Sequence, residues 1–347
     1  MVGATVGFVD DQLAAILASG VPGVAVVGDA VEAAAGVADV GTGEPLTAGH
    51  RFRIGSVTKI FVAALVLQLV AAGTLDLDAT AAPFVEDVTI RRLLNHTSGL
   101  DDFDAGPDFW EPYRRDPAHR WELDAREELE LALAKPRLFA PGEGWAYHGS
   151  NYVALRLVVE EATGIGLRDA LRQNVFEPLG LARTDLVEEP LGGDCARGYI
   201  AGDNPILPGE GLVDVTGLDL PFYRAGGGIV STPGDVAKLM RALLGGEVLP
   251  AALRAEMLDA VDSDWPETDR YGLGIGEITS LMRGERSPCG PAWGHLGFSL
   301  GYVAVALSSE DGARQVVLCA NGQAVTEDTE AAFFEAAGRL MWHLYCG

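Results

Sequence analysis

The pattern of apolar and polar positions gives the two ends of the chain the character of strands and the middle the character of helices. Four runs have the length and composition of strands and form two pairs around polar turns: 23–27 with 31–39, and 301–308 with 315–320. Helices are predicted before the first pair, over 8–19, and after the second pair, over 327–344. Because strands joined by a short turn are antiparallel, we expect both ends to contribute to one antiparallel sheet flanked by helices.

Between these ends the apolar spacing is mainly helical, and the connecting loops are long and polar. The clearest helical segments are 89–95, 125–134, 151–163 and 234–244. We therefore predict an α/β (α+β) fold. Residues 1–85 and 265–347 form one discontinuous α/β lobe, and residues 86–264 form an inserted, mainly helical lobe.

Ser56-Val57-Thr58-Lys59 opens a further helix that is apolar almost all round and is therefore predicted to be buried. A serine and a lysine three positions apart lie on one face of a helix, one turn from each other. Burial favours the neutral form of the lysine, and a neutral amine can accept the serine proton, which makes the serine a nucleophile. Gly55 leaves room for a close approach at the start of this helix. The alternative is a serine cap beside an unrelated lysine, since this spacing often occurs by chance.

Composition narrows the function classes. The chain has 347 residues, enough for one large domain or two moderate ones, and 48% of them are hydrophobic, which excludes general disorder. The net charge of −25 argues against nucleic acid or an anionic membrane surface as a partner. The apolar run over 60–73 is too short to span a bilayer, so we predict no membrane span. No signal-peptide pattern precedes the first helix, which predicts a cytoplasmic protein if Met1 is native and an extracytoplasmic one if a leader was removed.

The sequence contains no familiar metal-binding or cofactor-binding motif. None of the four cysteines forms C-x-x-C, and the six histidines show no H-E-x-x-H spacing, so no metal and no cofactor are expected. The pentapeptide 297–301 matches the G-x-S-x-G nucleophile elbow, but a strand-like run follows it where that motif requires a helix. We therefore do not assign the nucleophile to Ser299.

Companion motifs follow Ser56 in a fixed order along the chain: Leu94-Asn95-His96-Thr97-Ser98-Gly99-Leu100, Pro141-Gly142 before Tyr147-His148-Gly149, Ala225-Gly226-Gly227-Gly228, and Trp293-Gly294-His295-Leu296-Gly297. With Tyr271-Gly272-Leu273-Gly274 and the Cys-Gly ending, this set resembles the serine β-lactamase and penicillin-binding protein superfamily. The resemblance is closest to its class C β-lactamase-like branch and the soluble DD-carboxypeptidases, and it covers nearly the whole chain. It implies the β-lactamase/transpeptidase-like fold, with the active site at the junction of the two lobes.

The resemblance also implies roles for individual residues. Ser56 is the nucleophile that forms an acyl-enzyme, and Lys59 is the base or a charge that keeps its neighbours poised. Tyr147 shuttles a proton between Ser56 and the leaving group. His295, on an edge strand beside the serine, tunes the field and donates a hydrogen bond. The backbone N–H groups of Ser56 and Phe298 form the oxyanion hole.

Alternatives to two of these roles stay open. Tyr147 can instead be an aromatic residue that only packs at a helix start, although we assign that packing role to Tyr152. His295 can instead be a loop histidine whose hydrogen bonds are purely structural. The resemblance further implies a disulfide between Cys289 and Cys346, which hints at an oxidising compartment.

Three departures from the family pattern concern the substrate. Gly149 stands where the tyrosine motif has an asparagine that holds the acyl-side amide of the substrate, and Ser150 or Asn151 is a possible partial replacement. Leu296 stands where a hydroxyl residue helps to hold a substrate carboxylate. Gly276 and Glu277 stand where related carboxypeptidases have an arginine. The residues assigned to substrate binding are Gly149, Asn151, Leu296, Gly297 and Phe222.

Loss of the groups that grip a carboxylate costs about 1.5–3 kcal/mol for each charge-assisted hydrogen bond. We therefore predict a serine hydrolase for a small ester or amide, including uncharged and amine-bearing substrates, with acyl transfer as a variant. The alternatives are a D-alanyl-D-alanine carboxypeptidase or β-lactamase, and a non-catalytic penicillin-binding-like module. The expected partner is a small-molecule ester, amide or peptide substrate, and the oligomeric state stays open.

Overall fold

The structure is a computed structural model, and it describes residues 2–102, 111–116, 119, 123–187, 191–202, 204, 207, 209–218, 225–266, 268–281, 286–323 and 327–347. Phe222, one of the residues assigned to substrate binding, lies outside these ranges. The helices within them are α1 (Val2–Ala18), α2 (Thr58–Ala71), α3 (Ile90–Leu94), α4 (Glu111–Arg115), α5 (Ala125–Leu133), α6 (Ser150–Thr163), α7 (Leu167–Leu171), α8 (Pro233–Leu244), α9 (Ala251–Leu258) and α10 (Glu327–Cys346). A 3-10 turn, Gly55–Val57, precedes α2, and a π-helix, Arg172–Phe176, follows α7.

The strands in the described ranges are β1 (Gly23–Gly28), β2 (Glu32–Asp39), β3 (Glu44–Pro45), β4 (Phe52–Arg53), β5 (Thr80–Ala81), β6 (Val85–Thr89), β7 (Asp185–Leu186), β8 (Tyr199–Ala201), β9 (Leu212–Asp214), β10 (Ile229–Ser231), β11 (Val261–Asp262), β12 (Thr268–Tyr271), β13 (Gly276–Ile278), β14 (Ala292–Ser299), β15 (Tyr302–Ser308), β16 (Gln315–Ala320) and β17 (Gly322–Gln323). Nine of them form one antiparallel sheet in the order β11-β12-β13-β14-β15-β16-β1-β2-β3. Val26 of β1 pairs with Leu318 of β16, so the two ends of the chain meet in the middle of this sheet. The predicted antiparallel sheet flanked by helices is confirmed.

Both predicted strand pairs are present as antiparallel neighbours, β1 with β2 and β15 with β16. The predicted helices 89–95, 125–134, 151–163 and 234–244 correspond to α3, α5, α6 and α8, with ends that differ by one or two residues. Residues 86–264 also contribute the short strands β7 to β11, which join small sheets or the end of the large one. Strands of two or three residues are too short to leave an alternating pattern in the sequence, and the division into two lobes stays a prediction.

The large sheet separates two apolar cores. On one side, α2 lies at the centre, with nearly every side chain from Thr58 to Leu69 buried, and it packs against α6 and α7. On the other side, α1 and α10 lie side by side and cover the sheet with residues such as Ile16, Phe333 and Leu340. The sheet therefore holds α2, which begins directly after Ser56, in a fully enclosed position.

The strand that carries His295 is not the edge of the sheet, contrary to expectation, because β14 pairs with β15 on one side and with β13 on the other. However, β13 pairs only with Ala292–Gly294. Over the described ranges, the half of β14 from His295 to Ser299 has no strand on that side, and the turn Gly55–Val57 packs there instead. This local gap in the sheet brings β14 against Ser56.

A disulfide joins Cys289, which precedes β14, to Cys346 at the end of α10, the pair that the resemblance implies. Cys195 and Cys319 are free thiols. Within the described part of the chain, no helix combines the length and the apolar character needed to cross a bilayer.

Truncation inside α2 should be costly, because its side chains are enclosed on all sides. Leu65 is fully buried there, so Leu65→Ala is expected to lower the free energy of unfolding by about 2–5 kcal/mol. Leu131→Ala on α5, where the side chain is 43% exposed, is the matched control and should cost roughly 0.5 kcal/mol or less. Urea denaturation followed by tryptophan fluorescence measures both; equal losses for the two variants would contradict the central position of α2.

Candidate active site

Ser56 and Lys59 meet at the start of α2. Ser56 lies in the 3-10 turn, and one turn later the Nζ atom of Lys59 lies 3.1 Å from Ser56 Oγ and 2.9 Å from the carbonyl oxygen of Gly226. Lys59 is only 3% exposed, and this burial lowers its pKa to about 7, although the carboxylate of Asp102 acts in the opposite direction. Near neutral pH a large fraction of Lys59 is therefore an uncharged amine beside the serine hydroxyl, as a proton acceptor must be.

Tyr147 lies over this pair in the loop before α6. Its ring centroid is 4.9 Å from Lys59 Nζ, and its Oη atom is 3.5 Å from Nε2 of His295. Burial raises the pKa of Tyr147 far above its usual value, while a hydrogen bond with Ser56 acts in the opposite direction. The phenol thus stays protonated at neutral pH and can pass its proton on. Tyr152, assigned to the core, is fully buried, and its hydroxyl donates to the carbonyl of Leu94 at 3.2 Å.

His295 is buried on β14 and is held in one tautomer. Its Nδ1 atom lies 2.5 Å from the carbonyl oxygen of Leu296, which can only accept, so Nδ1 carries the proton. Nε2 therefore accepts, and the hydroxyl of Tyr271 donates to it at 2.9 Å. Burial, followed by the charge of Lys59, lowers the pKa of His295 to about 3. The expected donation of a hydrogen bond into the site is thus replaced by a neutral imidazole with both nitrogens engaged.

The backbone at Gly55 lies against the backbone of Phe298. Gly55 has a φ of +51°, and a Cβ atom there would lie 2.6 Å from the nitrogen and the oxygen of Phe298. A Cβ atom on Gly297 would likewise collide with the carbonyl oxygen of Ile54, at 1.9 Å. Glycine at 55 and 297 therefore brings the two expected oxyanion donors, the N–H groups of Ser56 and Phe298, onto neighbouring backbone segments. The Phe298 ring points away from the site towards Phe334, with a centroid distance of 6.0 Å.

Two of the residues assigned to substrate binding are not accessible to a substrate. Leu296 is fully buried in the core that α1 and α10 cover. Its side chain lies on the opposite face of β14 from His295, because neighbouring residues of a strand alternate. Asn151 is also fully buried, and its Nδ2 atom lies 3.1 Å from Nδ1 of His96 while its Oδ1 accepts from the Ser98 hydroxyl. The assignment of Leu296 and Asn151 to substrate binding was wrong, since one belongs to the core and the other to the scaffold.

Gly149 lies directly before α6, two residues after Tyr147, and its part in substrate binding stays a prediction; Ser150 does not supply the missing amide. The Ser150 hydroxyl is buried and bonds to the carbonyl of Asp101 and the carboxylate of Asp102. Asp102 is close to Gly149, since a Cβ atom there would lie 3.6 Å from its Oδ1, and its charge acts on Lys59. Asp102 also forms an ion pair with His148, with 3.2 Å between Oδ2 and Nδ1.

An aromatic shell around Tyr147 escaped the sequence analysis. His96 packs against the Tyr147 ring at a centroid distance of 4.5 Å, and Trp265 stacks on it at 5.0 Å with an interplanar angle of 17°. Burial lowers the pKa of His96 well below its usual value, so this ring is neutral as well. His96 and Tyr271 stand in motifs that the sequence had singled out, whereas Trp265 and Asp102 carried no signal. Over the described ranges, no three His, Cys, Asp or Glu side chains are grouped as a metal site would require.

Comparisons with known proteins were made for the whole chain. The family model described as Beta-lactamase matches residues 9–339. Penicillin-binding protein 4 of Amycolatopsis lactamdurans is 31% identical over 345 residues, which cover 92% of this chain and 86% of that protein. Esterase EstB of Burkholderia gladioli is 30% identical over 283 residues, 72% of this chain and 71% of that protein. The crystal structure of D-amino acid amidase from Ochrobactrum anthropi SV3, complexed with D-phenylalanine, superposes with a TM-score of 0.83 at 27% identity and covers 98% of both chains.

The pH dependence of the reaction should follow Lys59. If the neutral amine is the base, kcat/KM rises with pH through a midpoint near the pKa of about 7 and then levels off. Asp102→Asn removes the carboxylate that raises this pKa, so its midpoint should move to lower pH. Initial rates with p-nitrophenyl acetate between about pH 5.5 and 9 measure both profiles, and circular dichroism at each pH checks that the protein is folded. A profile that falls with rising pH would exclude a neutral Lys59 as the base.

The contact between Gly55 and Phe298 should be essential for activity. Gly55→Ala forces the two backbone segments apart and is expected to lower kcat by about 100-fold or more, the loss typical of one oxyanion donor. Gly164→Ala is the matched control, because Gly164 also has positive φ, at +71°, but a Cβ atom there meets nothing within 4 Å. Steady-state kinetics and thermal unfolding of both variants separate the catalytic loss from backbone strain. Equal kcat losses in the two variants would remove the oxyanion argument.

Proposed function

Because the chain belongs to the Beta-lactamase family, whose model matches residues 9–339, and is a serine hydrolase of the β-lactamase and penicillin-binding protein superfamily, we propose that it cleaves small, carboxylate-free esters or amides through an acyl-enzyme on Ser56. The neutral, fully engaged His295 carries this proposal. The names of the relatives, an esterase and a D-amino acid amidase, support the choice of an ester or amide.

The chemistry begins with Ser56. Its Oγ atom attacks the substrate carbonyl carbon while its proton passes to the neutral amine of Lys59, 3.1 Å away. The oxyanion that forms accepts hydrogen bonds from the backbone N–H groups of Ser56 and Phe298. Tyr147 relays the proton to the leaving group as the carbon–leaving-group bond breaks, which leaves the acyl-enzyme. Water then attacks the ester carbonyl, and its proton returns along the same route to Ser56 Oγ.

His295 has a supporting part in this scheme. Since Tyr271 occupies Nε2 at 2.9 Å, the more distant hydroxyl of Tyr147, at 3.5 Å, stays available for Ser56. Because His295 is neutral, it adds no second buried charge beside Lys59. The pKa of Lys59 is low through burial alone and does not need a neighbouring cation. We place the site between the two predicted lobes, with Ser56 and His295 from 1–85 and 265–347 and Tyr147 from 86–264.

The same features disfavour a substrate with a carboxylate near the scissile bond. His295 is neutral, Leu296 faces the opposite core, and positions 276 and 277 carry glycine and glutamate, with Glu277 on β13. A carboxylate would therefore go without charge-assisted hydrogen bonds worth about 1.5–3 kcal/mol each. This separates the proposal from a D-alanyl-D-alanine carboxypeptidase or β-lactamase, the alternative that the penicillin-binding relative favours.

The test compares substrates with and without the carboxylate. p-Nitrophenyl acetate should acetylate the protein and be turned over, while a fluorescent penicillin and a peptide ending in D-Ala-D-Ala should react at least tenfold more slowly, because each lost charge-assisted contact costs about that factor. Intact mass and nitrophenol release measure acylation and turnover. Ser56→Ala should abolish both, and Ser299→Ala, which removes the buried serine of the G-x-S-x-G pentapeptide, should retain both.

Two results would contradict the proposal. Rapid penicillin acylation or D-Ala release would mean that other residues hold the carboxylate. The protein would then be a D-alanyl-D-alanine carboxypeptidase or β-lactamase rather than an enzyme for carboxylate-free substrates. Failure of the esters, the penicillin and a serine-reactive phosphonate to label the wild-type protein would indicate a non-catalytic module.

A further inference from the structure

Two tyrosine rings face the amine of Lys59. Its Nζ atom lies over the Tyr147 ring, 4.9 Å from the centroid, and over the Tyr152 ring at 5.2 Å. Both distances fall within the roughly 6 Å over which the negative face of an aromatic ring attracts a cation. Lys59 is only 3% exposed and Tyr152 is fully buried, so water and salt screen the attraction between them weakly.

The position of Tyr152 is fixed by the backbone around it. Its hydroxyl donates to the carbonyl oxygen of Leu94 at 3.2 Å. A Cβ atom on Gly226 would lie 3.0 Å from Lys59 Nζ and 3.3 Å from the Cβ atom of Tyr152. One on Gly274 would lie 2.9 Å from Tyr152 Oη and 3.1 Å from the carbonyl oxygen of Lys59. Glycine at both positions, each in a motif that the sequence singled out, therefore lets two backbone segments close around the Lys59 and Tyr152 side chains.

Lys59 needs stabilisation most when it becomes a cation. As Ser56 attacks, its O–H bond breaks, and the proton goes to the lone pair of Lys59 Nζ. The electrons left on Oγ form the bond to the carbonyl carbon, whose oxygen becomes the oxyanion. The hydrogen-bond partners of Nζ are uncharged, the Ser56 hydroxyl at 3.1 Å and the carbonyl oxygen of Gly226 at 2.9 Å. An ammonium therefore forms in apolar surroundings, where an uncompensated charge is unfavourable.

Other groups act on Lys59 from the elements packed around it. The carboxylate of Asp102 favours the cation, but it is itself paired with His148 at 3.2 Å. His96 and His295 are neutral, since burial lowers the pKa of each, and so they contribute no charge. The titratable groups around Lys59 are Ser56 from the turn before α2, His96 and Asp102 from the segment after α3, Tyr147 and His148 from the loop before α6, Tyr152 from α6, His295 from β14 and, bonded to His295, Tyr271 from β12.

We propose that the rings of Tyr147 and Tyr152 form an aromatic clamp that stabilises the ammonium of Lys59 as it takes the proton of Ser56. Tyr152 is then a positioning residue that acts on the reaction through Lys59, in addition to its place in the core. The clamp offsets part of the effect of burial and keeps the amine basic enough to accept the serine proton near neutral pH. This inference rests on the proposed function, because it concerns the base of the same reaction.

Truncation of the Tyr152 ring separates this role from simple packing by the sign of the effect. Loss of the contact destabilises the ammonium, so Tyr152→Leu should lower the pKa of Lys59 by roughly one pH unit. A ring that only excludes water would have the opposite effect, because its removal admits water and raises the pKa. Tyr152→Phe keeps the ring and should keep the pKa. Phe176→Leu is the matched control, since it truncates another buried ring, which packs against Phe61 of α2 at 6.0 Å.

The measurement is an NMR titration of protein whose lysines carry ¹³C at Cε. The chain has three lysines, Lys59, Lys135 and Lys238, and Lys59→Arg identifies the Lys59 resonance by its loss. Circular dichroism at each pH checks that the protein is folded. With p-nitrophenyl acetate, the midpoint of the kcat/KM profile of Tyr152→Leu should move to lower pH and the plateau should fall, because a weaker base accepts the serine proton less readily.

Fluorination of the ring at position 152 tests the clamp even if Tyr152→Leu does not fold. Difluoro- and pentafluorophenylalanine nearly keep the shape of phenylalanine, but the fluorine atoms withdraw negative charge from the ring face that attracts the cation. The pKa of Lys59 should fall stepwise from Tyr152→Phe to the difluoro ring and then to the pentafluoro ring. A pKa that stays constant along this series, or that rises in Tyr152→Leu, overturns the inference.

Failure of this inference is distinguishable from failure of the proposed function, because the titration needs no substrate. Turnover of p-nitrophenyl acetate together with a Lys59 pKa that fluorination leaves unchanged overturns the aromatic clamp alone. A stepwise fall of this pKa without acylation of Ser56 by any ester upholds the contact on Lys59 and overturns the proposed function.

Discussion

Lys59 carries its amine on a helix that is enclosed by apolar residues, and burying a protonated amine in such surroundings is unfavourable in free energy. The protein meets this cost by lowering the pKa of the amine to about 7 rather than by pairing it with a buried carboxylate. The surrounding groups follow from that choice. The carbonyl of Gly226, the phenol of Tyr147 and the imidazole of His295 are all uncharged, so that none of them adds a second buried charge. The site is thus a neutral proton-transfer network enclosed by the fold.

The enclosure depends on how the chain ends come together. The sheet that joins β1 to β16 also holds β14 against the turn at Ser56, and β14 has no β13 partner from His295 onwards, where that turn lies against its backbone. The gap begins at His295, where the pairing with β13 stops. The turn that carries the nucleophile and the backbone of Phe298 therefore meet where this pairing has ended. Glycine at 55 is the local condition for it, because any side chain would occupy the place of the Phe298 backbone.

The sequence carries the local part of this arrangement and little of the long-range part. Strand pairs, α2, and the spacing of Ser56 and Lys59 are local patterns, and the structure has them where they were predicted. The tautomer of His295 depends on Tyr271, 24 residues away in the chain, and the position of Trp265 depends on a loop without any periodic pattern. The position of Leu296 could have been predicted, because the alternation of side chains along a strand places it on the opposite face from His295. It was assigned to substrate binding on the family resemblance instead. Asn151 was misassigned because the sequence does not show whether an asparagine is exposed or, as here, buried and hydrogen-bonded to His96 and Ser98.

Asp102 acts on the electrostatics of the base from outside the apolar enclosure of α2. Its carboxylate raises the pKa of Lys59, and so keeps part of the lysine population protonated near neutral pH. Protonated His148 offsets this field, but that histidine holds its proton chiefly because of the same carboxylate. The fraction of neutral Lys59 near neutral pH therefore depends on burial, which lowers its pKa, and on the Asp102–His148 ion pair, whose carboxylate acts in the opposite direction.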